Sequence, residues 1–202
     1  MKKIVFLDVD GVLNSADWAH ENHIARLKDR DERGAEHEFA PQYCYPMGHL
    51  SPKLIDNLNK ICEKTGCYIV VSSTWRLHNT IKKLGEYLML KGFKYSDRII
   101  DRTDNFNISY GRGYEIQHWL NQHADEVSNF VILDDDWDMH HLMPWLVQTD
   151  YRDGLTLEHV ALAISILNGV TDVVPYHERR SYHAKHMTDE VWGKESRYGI
   201  SL

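Results

Sequence analysis

The sequence predicts an α/β fold: a five-stranded parallel sheet with helices on both faces. Three observations carry this. Short apolar runs rich in branched residues recur along the chain, and helix-like stretches separate them. Those runs also lack the polar alternation of a strand with one wet face, as expected of strands covered on both sides. Strand–helix alternation repeated in this way builds a parallel sheet through crossover connections.

Taken in order, KIVFLDV (3–9) is the first buried strand. SPKLIDNLNKICEKTG (51–66) then has a serine at the cap, proline at the first helical position and glycine at the stop, the usual punctuation of a helix. CYIVVSS (67–73) is a second buried strand, and LHNTIKKLGEYLMLKG (77–92) an amphipathic helix ending at Gly92. DRIIDRT (97–103) is a third strand. RGYEIQHWLNQHAD (112–125) sets Ile116, Trp119, Leu120 and His123 at helical spacing. NFVILDD (129–135) is the fourth strand and PWLVQTD (144–150) a fifth, edge-like one. Thr156 caps a last helix whose apolar stripe stops at Gly169.

Two segments fall outside this repeat. Residues 15–50, charged and then aromatic, read as a cap or flap inserted after the first strand, and 175–202 as a polar C-terminal tail. The remainder, within 1–174, reads as one domain. The net charge of −7 argues against a broad basic surface for gripping nucleic acid. Cys44, Cys62 and Cys67 form no CxxC pair, which suits a reducing compartment better than a disulfide framework. The apolar stretch Ile4–Leu7 is too short for a signal sequence, and no run reaches membrane-spanning length. A soluble, cytoplasmic protein with no membrane partner is expected.

In a parallel sheet of this type, sites form where loops converge at the carboxyl ends of the strands. The first strand ends in Asp8 and Asp10, the second in Ser72, Ser73 and Thr74, and the fourth in Asp134, Asp135 and Asp136. Arg112 stands at the start of the helix between the third and fourth strands. Carboxylates gathered together repel one another unless a cation binds them. Hard oxygen donors suit magnesium, which bridges carboxylate and phosphate. Other readings of these residues fail. DDDWDM (134–139) begins like a calcium loop but has Met139 where glycine is needed and Trp145 where glutamate is needed. Adjacent His140 and His141 point about 100° apart on a helix and read as surface residues. GRGYEI lacks the third glycine of a dinucleotide turn.

DVDGV at the first strand end resembles the DxDG signature of the haloacid-dehalogenase-like (HAD) phosphohydrolases, whose sheet is Rossmann-like. VVSS, Arg112 and VILDDD resemble the later motifs of that superfamily, in order. DVDGVLN, SSTWR, GRGYEI, VILDDD and LVQTD…GLT together resemble the HAD domains of Swiss-army-knife RNA-repair proteins. The resemblance implies a magnesium-dependent phosphatase working through an aspartyl-phosphate. Asp8 would be the nucleophile and Asp10 the acid/base; Ser72 and Arg112 would bind the phosphoryl group. Gly11, Ser73 and Arg76 would contact substrate, with Arg76 or Arg102 competing with Arg112 as the cationic clamp and Ser73 with Ser72 as the hydroxyl. Asp8, Asp134 and Asp135, with the Asp10 carbonyl, would hold Mg2+.

The substrate implied is a nucleotide or a nucleic-acid end. Arg26, Lys28, Arg30 and Arg33 are available in the insertion for phosphates, and Trp18, Tyr43 and Tyr45 for stacking. The acids in the same stretch keep it from being net basic. A phosphorylated metabolite is the competing substrate class, and a silent binding module the competing function. No P-loop GxxxxGK[ST] accompanies the domain. Protein partners are not indicated.

Overall fold

The computed structural model describes residues 1–34, 45–106 and 111–170. The proposed tail at 175–202, Cys44 and Tyr43 lie outside the described residues. The sheet has five parallel strands in the order β3-β2-β1-β4-β5, namely Ile99–Arg102, Tyr68–Val71, Lys2–Leu7, Val127–Asp134 and Leu146–Gln148. β1 is central because Ile4, Val5, Phe6 and Leu7 are fully buried, leaving no face for water. Alternate residues divide its two faces. Phe6 meets Trp119 and Phe130 edge-on, with ring centroids 5.4 and 5.7 Å apart. Leu7 faces the other side, with Leu84 and Leu88.

The helices are α1 (Ala16–Arg33), α2 (Pro52–Thr65), α3 (Ile81–Leu90), α4 (Arg112–Gln122) and α5 (Leu157–Leu167). Ser51 caps α2 with Pro52 next, and Gly66 ends it at φ 66, a left-handed conformation that glycine adopts without a Cβ penalty. Thr80 caps α3 and Thr156 caps α5. Two elements are shorter than their sequence pattern. Residues 74–77 form a separate 3-10 turn before α3, and Pro144 and Trp145 end another before β5. Cys62 and Cys67 are buried free thiols with their sulfurs 3.8 Å apart. Among the described residues no helix is long and apolar enough to cross a membrane.

Register positions the site. Leu7 pairs with Val71 on one side and Leu133 on the other, so the residues that follow, Asp8, Ser72 and Asp134, emerge side by side. The ladder continues through them: Ser72 N donates to Leu7 O (2.9 Å), Asp8 N to Leu133 O (3.0 Å) and Thr149 N to Asp134 O (2.9 Å). α1 lies between β1 and α2 in the chain and buries no residue. Its first turn is tied to the loop after β5, Ala16 N donating to Tyr151 O at 2.9 Å.

Candidate active site

Asp8 is 5% exposed, and Arg112 Nη1 donates to its Oδ1 at 3.1 Å. Burial pushes the Asp8 carboxyl up to about 6, against the pull of Arg112. Asp134 is pushed further, to about 8, by burial and then by the charge of Asp8. Asp135 is also raised, chiefly by burial. Burial alone would lower the Arg112 guanidinium, but Asp8 and Asp134 outweigh it and raise it.

One oxygen from each of Asp8, Asp134 and Asp135 lies within 4.8 Å of the others. Asp134 Oδ1 accepts from Asp136 N at 3.0 Å, whereas the buried Oδ2 has no partner among the described residues. An orphaned carboxylate oxygen beside two further acids fits a hard divalent cation. These three side chains can therefore hold a metal ion. The Asp10 carboxylate stands outside that cluster, and each of its oxygens has a donor. Asn14 Nδ2 donates to Oδ1 at 2.7 Å and Trp75 Nε1 to Oδ2 at 3.0 Å. Its orientation is thus set from two separate elements.

Gly11 makes the convergence possible. Its φ is +69, and a Cβ there would overlap the Asp135 carboxyl group. The DxDG turn is held by Asn14 Oδ1, which accepts from Gly11 N at 2.8 Å, and by Thr149 Oγ1, which donates to Gly11 O at 2.7 Å.

The two serines divide their roles. Ser73 Oγ accepts from Trp75 N at 3.3 Å and caps the 74–77 turn. Ser72 Oγ is buried with no partner among the described residues, an open donor at the strand end beside Asp8. Arg76, by contrast, is committed inside the protein. All five of its N–H groups are accounted for: Nε donates to Thr103 O at 3.0 Å and Nη1 to Ser72 O and Ser73 O at 2.6 and 2.8 Å. Nη2 donates to Asp104 O at 3.1 Å and to Glu115 Oε2 at 2.5 Å. Five donors is the whole capacity of a guanidinium, so Arg76 has none left for a phosphate. Arg102 is turned inward as well, donating to Arg76 O at 2.7 Å. Of the three candidate arginine clamps, Arg112 alone reaches Asp8.

Of the neighbouring acids and histidines, Asp138 Oδ2 accepts from Arg112 N at 2.8 Å and caps α4 from a distant loop. His141, expected at the surface, is half-buried, with its Nε2 2.8 Å from Gln117 Oε1. Trp18, a candidate for stacking, donates from Nε1 to Gly48 O at 3.0 Å. Asn14, Trp75, Glu115 and Thr149 carry no role legible in the sequence, though each falls inside one of the motifs DVDGVLN, SSTWR, GRGYEI and LVQTD. Their partners are up to 138 residues away, which local pattern does not reveal.

Comparison with protein-family models finds one described as the HAD domain in Swiss Army Knife RNA repair proteins, over residues 4–160. Comparisons with curated proteins and with solved structures returned no match.

Proposed function

The chain belongs to the HAD domain family of Swiss Army Knife RNA repair proteins, and from that premise we propose that it is a magnesium-dependent phosphomonoester hydrolase. Its substrate would be the terminal phosphate of a nucleotide or nucleic acid. The observation that carries the reading is the meeting of Arg112 with Asp8 at the edge of a three-carboxylate cluster. A cluster of three carboxyl groups with one inward-facing cation cannot readily hold all three charges without a ligand, as the raised Asp8 and Asp134 reflect. It is well matched to a divalent cation and a phosphoryl group bound together.

In this reading the steps fall to the chain's own groups. Asp8, held ionised by Arg112, attacks phosphorus; the bond to the leaving oxygen breaks, and Asp10 gives that oxygen a proton. Asp10, now a carboxylate aimed by Asn14 and Trp75, takes a proton from water. That water attacks the aspartyl-phosphate, releasing phosphate and restoring Asp8. Ser72 Oγ and Arg112 hold the transferring oxygens as charge shifts onto them. Magnesium held by Asp8, Asp134, Asp135 and the Asp10 carbonyl would offset the charge between nucleophile and phosphate. Ser73 and Arg76 serve this reading indirectly, by shaping the end of β2.

The test is phosphate release from 3′- and 5′-phosphorylated oligonucleotides, nucleoside monophosphates and an aryl phosphate, with magnesium or with EDTA. Wild-type protein should release phosphate from at least one. EDTA should abolish it, and Asp8→Asn, which keeps size but removes the nucleophile, should lower it by about 10³-fold or more. Undiminished turnover by Asp8→Asn would overturn the mechanism.

A further inference from the structure

A cleft of about 290 Å³ opens from Asp10 and runs under α1, lined among others by Asn14, His23, Arg26, His49 and Tyr151. That volume is at the small end of ligand sites and suits a group of nucleotide size. One lining residue, Asp10, is the acid that would protonate the leaving oxygen, so the cleft is where the leaving group would lie. Its walls are built rather than incidental. The first turn of α1 is tied to Tyr151 O and to Arg152 O, by Ala16 N at 2.9 Å and Asp17 N at 3.2 Å. The turn carrying His49 is bonded to α1 through Trp18 Nε1 and Gly48 O.

The charge in this cleft is unevenly placed. Among the described residues, Asp10 is its sole lining carboxylate and Arg26 its sole lining guanidinium. Arg26 lies about three helical turns along α1 from the Ser15 cap. Its Nη2 is 3.2 Å from His23 Nδ1. A guanidinium only donates, so Nδ1 accepts, and the proton of a neutral His23 ring is on Nε2. Arg26 and His23 thus bring donors to the α1 wall of the cleft that Asp10 also lines. Lys28, Arg30 and Arg33 do not line it, and Arg33 pairs with Asp29 along the helix.

We propose that this cleft is a leaving-group subsite for a nucleotide bearing a second phosphate, with Arg26 and His23 binding that phosphate. Tyr151, 61% exposed, and His49 also line the cleft and offer rings for a base or sugar. The proposal rests on the phosphatase reading for its direction, since Asp10 marks where the leaving oxygen sits. The second phosphate is either an internucleotide diester or a second monoester.

The experiment compares kcat/KM for a nucleoside monophosphate, a nucleoside bisphosphate and a terminally phosphorylated dinucleotide, for wild type, Arg26→Ala and Arg26→Lys. Binding of the same three compounds to Asp8→Asn protein with magnesium, by calorimetry, gives a second readout. The compounds with a second phosphate should be preferred by about 10- to 100-fold, the worth of one charged hydrogen bond. That ratio should collapse toward one in Arg26→Ala and be partly kept in Arg26→Lys. Preference for the bisphosphate alone would identify a monoester; preference for the dinucleotide would identify a diester. Equal handling of one and two phosphates, or a ratio unchanged in Arg26→Ala, would overturn the subsite. Absence of hydrolysis by wild type would instead count against the phosphatase reading, and the binding ratio would still decide the subsite.

Discussion

Gly11 shows how much a single position carries at this site. The left-handed turn and the approach of Asp135 both exclude a side chain, and the Asp135 carboxyl is one of three that gather there. In Gly11→Ala a Cβ would displace Asp135 and strain the backbone by about 1–2 kcal/mol. We expect a lower melting temperature together with a disproportionate loss of magnesium affinity, measured by calorimetry; unchanged affinity would contradict the placement. DxDG was legible in sequence as a strand-end turn, because a glycine directly after two acids at the end of an apolar run marks a sharp bend in the backbone. Arg76 was not legible. An arginine four residues after Ser72 looks like a phosphate ligand until its acceptors are counted, and those come from Thr103, Asp104 and Glu115. Ser72 and Ser73 are likewise equivalent in sequence and are separated only by the turn that Ser73 caps.

At the scale of elements, α4 is the part whose sequence is most constrained. Gly111 sits at φ +75, and a Cβ on Gly113 would meet Met139 O at 2.5 Å, so the helix start is pressed against the loop after β4. From there α4 sends Arg112 to Asp8 and Glu115 to Arg76, three residues apart on one face. Asp138 supplies the cap. Asp138→Ala should cost about 1 kcal/mol, or about 2–4 °C in melting temperature for a chain of this size. It should also lower kcat/KM, because Arg112 is the residue whose amide it holds; thermal unfolding and steady-state kinetics check the two separately. The strands were readable from their unbroken apolar runs, which only a sheet covered on both faces tolerates. α1 was less so: it buries nothing, so no apolar stripe marks its extent, and its inner face is polar because it borders a cleft.

For the whole molecule, alternation in sequence indicated a parallel sheet, but the order β3-β2-β1-β4-β5 depends on crossovers that no local pattern encodes. That order brings β1, β2 and β4 together and concentrates buried acid at the carboxyl ends of interior strands. Asp8 at about 6 and Asp134 at about 8 both lie above the ordinary carboxylate value near 4. Folding therefore takes up protons, and the associated stability is complete below about pH 4 and lost as pH rises toward 8. In EDTA the melting temperature should fall between pH 5 and pH 8.5, and magnesium should reduce that fall by binding the ionised carboxylates. A profile identical with and without magnesium would count against metal binding here. One loop has a wider consequence. The stretch from Asp134 to Asp138 provides two of the clustered acids and also the cap on the helix that presents Arg112. In the proposed reaction a cation and a phosphate would thus be coupled through one stretch of backbone, and linkage would make their effects on each other equal in size. By whatever factor one tightened the other, the favour would be returned, so neither affinity measured alone would characterise such a site.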